Sequence, residues 1–436
     1  REEKDATRGR AHLLFEMLRG EVIGKNGWRD ESVKDALDLC LACKGCKGDC
    51  PVNVDMATYK AEFLAHYYKG RLRPIYAYAF GLIHIGARFA SLMPRVANFF
   101  TQAPIFSDVL KLIIGVAPQR HMPAFARYTF KDWFRKRAAR NEGKPPVILW
   151  PDTFNNYFHP RTAQAATEVL EAAGFRVIVP MKDFCCGRPL YDYGMLDTAQ
   201  RWLRQILVGM REEIRADIPV VGLEPSCLAV FRDELLNFFP NDQDAQRLAK
   251  NSFLLSEFLE KRAPDFKVPK LHRKALVHGH CHHKSLMKMK DETALLDKME
   301  MDWEMPDTGC CGMAGAFGFE KEHYDISIAC GERVLLPAAR EASKETLLIA
   351  DGFSCREQVR QTTDRVPLHL SEVLQMALRE GERGVPGAYP EKTYVTPSPA
   401  RPSLLAGLAV IAAAAVIGGL LFKLWNKPRR HGGHGD

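Results

Sequence analysis

Twelve cysteines stand in this chain of 436 residues, and four of them fall in the stretch CLACKGCKGDCP. Cys40, Cys43, Cys46 and Cys50 are spaced C-x2-C-x2-C-x3-C and followed by Pro51. That is the ligand run of a [4Fe–4S] cluster. Iron in such a cluster takes thiolates, so the sulfurs must converge on one small volume. Short loops wrap the backbone round it, and Lys44, Gly45, Lys47 and Gly48 permit the tight turns that aim N–H groups at sulfur. A zinc site of four cysteines is the alternative, but zinc usually sets two C-x2-C pairs apart by a longer loop. In two-cluster proteins the fourth cysteine of such a run serves the other cluster, and only one run is present here.

A second constellation is a repeated pair. Cys185-Cys186 and Cys310-Cys311 are each followed by glycine, in DFCCG and TGCCG. Neighbouring cysteines rarely join in a disulfide, because the bond geometry is hard to reach. Each pair has a later companion, Cys227 in EPSC and Cys355 in GFSC, and Cys281 sits in HGHCHH. In an α/β unit the carboxyl ends of strands converge on one crevice. Cys281, Cys310, Cys311 and Cys355 are therefore expected to meet, with Cys185, Cys186 and Cys227 as the matching set. Buried cysteine as a small hydrophobe explains one pair; two pairs in matching places favour a cluster or metal. His278, His280, His282 and His283 flank Cys281 and offer ligands, hydrogen bonds to sulfur or proton gating. Cys330 lies mid-helix and reads as structural.

The elements that must position these residues follow from periodicity. Residues 1–70 read as helical, with ATRGRAHLLFEMLRG ending at Gly20, ESVKDALDLCLAC carrying Cys40 and Cys43, and VDMATYKAEFLAHYYKG ending at Gly70. This predicts an α-helical ferredoxin-like [4Fe–4S] domain. Residues 71–145 predict a helical connector, Pro-interrupted, apolar and basic. Its helices pack on the rest of the chain or, alternatively, lie on a membrane or a partner. From 146 onward VILW, FRVIV and PVVGL alternate with helices, and ALVHGHC, TGCCG and ETLLIADGFSC retrace the same order. The simplest account is a duplication giving two Rossmann-like units, 146–265 and 272–385. Neither carries G-x-G-x-x-G, so dinucleotide binding is not indicated. A linker over 386–403 leads to LLAGLAVIAAAAVIGGLLF, residues 404–422, nineteen residues without charge, then a basic tail at 423–436. At about 1.5 Å per residue that run matches a bilayer core of roughly 30 Å. The expected class is α+β and multidomain: a helical ferredoxin domain, a duplicated α/β unit and a C-terminal transmembrane helix.

Bulk composition agrees with a large globular chain, 46% hydrophobic and 26% charged. Net charge is +8, but no basic run interleaves with aromatics, so nucleic acid is not an expected partner. Twelve cysteines in this length do not make a small disulfide scaffold.

In combination the motifs resemble the cysteine-rich CCG-domain iron–sulfur proteins. LCLACKGCKGDCPVNVDMATYKAEFL, LWPDTFNN, DFCCGRP and TGCCGMAGAFG carry the likeness, which extends over about residues 1–385. The pattern is similar to the C-terminal half of fused FAD-linked D-lactate or glycolate-type dehydrogenases and to the glycolate oxidase iron–sulfur subunit. In that group TRGRA follows a first cysteine run, which implies an upstream run and an FAD-binding dehydrogenase domain, fused or separate. Cys40, Cys43 and Cys46 would then share a cluster with an upstream cysteine and Cys50 would complete the other; all four on one cluster is the rival. The heterodisulfide reductases of the same family hold a noncubane cluster with an early Cys, the CC pair and a C-x-x-C. Here Asp152 and Glu224 stand at two of those positions in unit one and Gly352 at one in unit two. Unit two, with four thiols, is the better candidate for a noncubane cluster or other metal.

The resemblance implies the iron–sulfur portion of an FAD-linked D-2-hydroxy acid dehydrogenase, passing electrons to a quinone or other carrier. No residue here is assigned a catalytic role. Disulfide chemistry at the CCG site, or a membrane-tethered zinc protein without redox work, are the alternatives. The expected location is the cell membrane by a single C-terminal anchor, with the cluster domains cytoplasmic.

Overall fold

The computed structural model describes residues 2–21, 23–24 and 26–394. Two parallel sheets organise its centre. The first joins β1 (Pro146–Leu149), β2 (Arg176–Ile178), β3 (Val220–Gly222) and β4 (Ser252–Leu254) in the order β2-β1-β3-β4. The second joins β5 (Lys274–Val277), β6 (Asp302–Glu304) and β7 (Leu347–Ile349) in the order β6-β5-β7. Strands are parallel because each is followed by a helical crossover rather than a hairpin. Ile349 also bridges Leu368 in parallel, at the place β4 occupies beside β3.

Short strands of Val, Ile and Leu work here because both faces are covered. One core runs through both sheets. It unites Val147, Leu149 and Val221 of the first with Ala275, Val277, Leu347 and Ile349 of the second. Full burial of such side chains contributes roughly 1.5–3 kcal/mol each before entropy is counted. Helices Pro160–Ala172 and Leu370–Glu380 lie against each other and tie the halves together. Ser371 Oγ donates to Thr162 O at 3.0 Å, and Arg379 meets Glu168 at 2.5 Å.

The expected class is corrected in two respects. Strands alternate with helices throughout the sheet region, so the fold is mixed α/β with parallel sheets rather than α+β. Among the described residues no helix is long and apolar enough to cross a membrane. The run 404–422, read as a transmembrane helix and membrane anchor, lies outside the described residues.

Two local expectations also change. The helix foreseen over ESVKDALDLCLAC stops at Asp38, and the chain beyond it turns left-handed at Ala42 (φ 49°) and Lys44 (φ 58°). Cys40 and Cys43 therefore sit on a loop. Cys227 and Cys355 lie within the first turn of the helices Pro225–Ala229 and Phe353–Thr362, past the strand ends where they were placed.

The glycine of each CCG triplet has a left-handed backbone, φ 81° at Gly187 and 88° at Gly312. A Cβ on Gly312 would also lie 2.0 Å from Ser327 O. Gly312→Ala is expected to cost about 2–4 kcal/mol of stability, the positive φ and the backbone clash together. Gly143→Ala, with nothing within 4 Å of its Cβ, should cost about 1 kcal/mol; thermal or denaturant unfolding of the two variants compares them.

Candidate metal centres

The loop bearing Cys40, Cys43 and Cys46 is held by charge. Lys44 is fully buried, and its ammonium meets Asp55 (3.0 Å), Asp233 (2.5 Å) and Glu234 (3.0 Å). Burial alone would favour the neutral amine; Glu234, Asp233 and Asp55 outweigh it and hold Lys44 well above its usual range. Lys47 also reaches Asp233, at 2.5 Å. Arg188, directly after the first CCG triplet, bonds Glu234 (2.6 Å), Asp192 (2.7 Å) and the Ala42 carbonyl (3.1 Å). From the second unit, His282 Nε2 donates to the same Ala42 carbonyl at 3.0 Å, and Ser285 Oγ donates to Cys43 O at 3.4 Å. Both units thus grip one loop.

That grip brings two cysteine groups together. Burial pushes the Cys43 thiol up to about 11, with Cys281 as the next contributor and Cys40 after it. Burial likewise raises Cys46, which also feels Cys40 and Cys43 and accepts a hydrogen bond from Met56 N at 3.5 Å. Cys50 follows at the end of the helix Gly45–Asp49.

In the second unit the thiols influence one another in series. Cys310 raises Cys281, Cys311 raises Cys310, and Cys355 raises Cys311. The Cys310 contact, then burial, raises Cys281 to about 12. Gly312 N donates to Cys310 Sγ at 3.4 Å. His278 joins this group, with its ligand atom and the sulfurs of Cys311 and Cys355 within 4.8 Å of one another. Its Nδ1 is hydrogen-bonded to Thr308 Oγ1 at 2.7 Å, and its buried Nε2 has no hydrogen-bond partner. Four thiols, Cys311 and Cys355 buried and Cys281 and Cys310 partly so, with an unpartnered imidazole nitrogen beside them suit a soft, thiophilic cation or cluster, so this donor set fits the expected group.

The first unit fits less well. Cys186 and Cys227 lie 2.9 Å apart, and Thr153 Oγ1 donates to Cys185 at 3.6 Å. The two carboxylates at the replaced positions serve the backbone instead. Asp152 Oδ1 accepts from Phe154 N and Asn155 N, and Oδ2 from Asn155 Nδ2. Glu224 Oε1 accepts from Ser226, while Oε2 accepts from Phe353 N at 2.8 Å, capping a helix of the other unit. Three thiols without a free carboxylate do not make the donor set of a four-thiolate cluster. In unit two Gly352 has no room for a side chain, because a Cβ would lie 2.3 Å from the His280 ring.

Of the histidines around Cys281, His278 and His282 acquire distinct placements. His283 turns to Glu292, at 3.3 Å, and His280 Nδ1 accepts from His282 N at 3.2 Å. The roles of Lys44 and Arg188 were not visible in the sequence, since their partners lie far along the chain. Cys40, Cys185, Cys186, Cys227 and Cys281 border one cavity of about 210 Å3, closed on its other side by Tyr76, Phe80, Ile83 and Phe125.

With this geometry in view, the relatives are informative. A family model for the cysteine-rich CCG domain matches residues 153–232. Lactate utilization protein A of Geobacillus kaustophilus is 31% identical over 181 residues, covering 39% of this chain and 73% of that protein. The chain belongs to the family of cysteine-rich CCG-domain proteins. It is also similar to one subunit of the anaerobic glycerol-3-phosphate dehydrogenase of Escherichia coli, 27% identical over 289 residues, 65% of this chain and 72% of the relative. D-2-hydroxyglutarate dehydrogenase of Pseudomonas putida is 26% identical over 379 residues, 83% of this chain. The chain spans about a third of that relative's length, 36%.

Two charged contacts around the cysteine loop are open to direct measurement. Lys44→Met removes the ammonium shared by Asp55, Asp233 and Glu234 and leaves Lys47 and Arg188 as their remaining cations; it should destabilise the folded protein by about 3 kcal/mol, read in denaturant unfolding. His323 joins Asp38 (2.7 Å) and Glu320 (3.0 Å). Burial pulls it down, but hydrogen bonds to Asp38 and Glu320 prevail and raise it from 6.5 to about 9. Its contribution is complete below about 6.5 and lost as pH rises through about 9. The gap in melting temperature between the native protein and His323→Gln should therefore shrink as pH rises across that window.

Proposed function

We propose that this chain is the iron–sulfur electron-transfer part of a dehydrogenase. The observation that carries the reading is the single cavity bordered by both Cys40 and Cys281, which joins two thiol groups far apart in sequence. The family and the dehydrogenase names of the relatives support it. Bound clusters would supply one-electron redox chemistry. Cys40, Cys43 and Cys46 would hold one [4Fe–4S] cluster with a cysteine from elsewhere, and Cys50 would complete a second. Cys281, Cys310, Cys311 and Cys355 would hold another, noncubane in type, with His278 beside it. The chain's own work is to fix the sulfurs, exclude water and direct N–H groups at them. The N–H groups of Met56 and Gly312 do this at Cys46 and Cys310 and favour the electron-rich state.

At the finer level, the electrons would come from a flavin dehydrogenase component that oxidises a D-2-hydroxy acid and would leave to a lipid-soluble quinone. FAD, the hydroxy acid and the quinone are read from the resemblance, and the cavity bordered by Cys185 and Cys281 and by Tyr76, Phe80 and Ile83 suits an apolar acceptor.

Anaerobically prepared protein should contain iron and acid-labile sulfide and give an electron paramagnetic resonance signal when reduced. Cys281→Ser with Cys310→Ser should abolish one signal and spare the one that depends on Cys43. Cys185→Ser should leave iron content unchanged. Zinc alone, with no visible absorbance, would defeat the reading.

A further inference from the structure

The helices between the two grips show a second apolar face. Ile75–Gly81, Ile83–Ala90, Pro94–Gln102 and Phe106–Ile114 pack on one another in turn. Their inner sides are well anchored. Phe80 and Ile114 join the core of the second unit, and Ile83 and Ala87 pack with Tyr157, Phe158 and Phe353. His84 Nδ1 is hydrogen-bonded to Thr153 at 3.1 Å, Asn98 donates to Phe125 O at 2.8 Å, and Gln102 donates to Met122 O at 2.8 Å.

The outer sides should then be polar, and they are not. Of the 23 exposed large hydrophobic residues among the described residues, 13 lie between positions 72 and 113. A tenth of the chain thus holds more than half of them, a concentration a solvated surface rarely keeps. The most prominent stand at helix ends and turns: Leu72 (87% exposed), Leu112 (77%), Leu92 (74%), Phe89 (66%) and Met93 (63%). Arg71 and Arg95 are exposed among them, Arg88 is exposed but paired with Asp183 at 3.0 Å, and Asp108 is the single acid from 71 to 114. Projecting apolar prongs with basic neighbours suit a fluid apolar layer under anionic headgroups. A protein partner would call for a flatter apolar core with a polar rim of both signs.

We infer that this face docks on the surface of an anionic lipid bilayer, lying on it without crossing it. The inward residues of the same helices, Tyr76, Phe80 and Ile83, line the cavity that reaches Cys185 and Cys281. The helices therefore separate lipid from thiol by one layer of structure. That a quinone uses this route rests on the function proposed above; the docking does not.

The test places a reporter in the face itself, in the full chain. Leu92→Trp is compared with Val208→Trp, which is exposed on the helix Leu196–Gly209, after subtraction of the parent signal. The vesicles are phosphatidylglycerol and phosphatidylcholine with brominated acyl chains. The Leu92→Trp emission should fall by about half or more and that of Val208→Trp by about a tenth or less. Adding Met93→Glu and Leu112→Glu should remove most of the Leu92→Trp effect. Equal quenching at both positions, or none at position 92, overturns the inference. So does a blue shift of Leu92→Trp that needs only higher protein concentration, or only an added dehydrogenase component, because the face would then be a protein interface. Iron content and reduction of a soluble dye are read in parallel, so loss of docking and failure of the redox reading give different results.

Discussion

Everything near the thiols depends on one buried ammonium. Lys44 sits on the cysteine loop, yet two of its three carboxylate partners, Asp233 and Glu234, lie about half the chain away in the first α/β unit. Removing a lysine from water is costly, and only several close carboxylates offset it. The loop can satisfy that requirement in one docked position. Arg188 shares Glu234 and seizes the Ala42 carbonyl, and His282 takes the same carbonyl from the other unit. The position of Cys43 relative to Cys281 follows from these constraints.

The first three strands of each α/β unit are ordered alike around a common core, but the two sites differ. In the second, His278 stands beside Cys311 and Cys355 with a bare nitrogen. In the first, Asp152 and Glu224 use their oxygens to cap helices. Glu224 caps a helix of the opposite unit and so helps hold the units together. At Gly352 the His280 ring fills the space a side chain would need.

The helices between 75 and 114 connect these inner sites to the outside. Their inner faces belong to the core and the cavity wall, and their outer faces are apolar as well. A helix apolar on both sides is stable only if something covers the second side. A lipid surface there would set the redox groups within one structural layer of the bilayer.

Much was legible in the residues. The C-x2-C-x2-C-x3-C run, the paired CCG triplets and the alternation of Val- and Ile-rich runs with helices are local signals, and spacing or periodicity reads them directly. The sequence by itself determined which chemistry is available: thiolates in sets, glycines where the chain must turn left-handed, and parallel strands separated by crossovers. It did not show that the helix before Cys40 ends at Asp38, that β4 exists, or that Asp152 and Glu224 are caps. Nor could it reveal that Lys44 and Arg188 form one network, because their partners are separated by tens to nearly two hundred residues. Those facts were decided by tertiary structure alone, since a buried charge chooses its partner by distance in space, and spacing along a chain carries no such information.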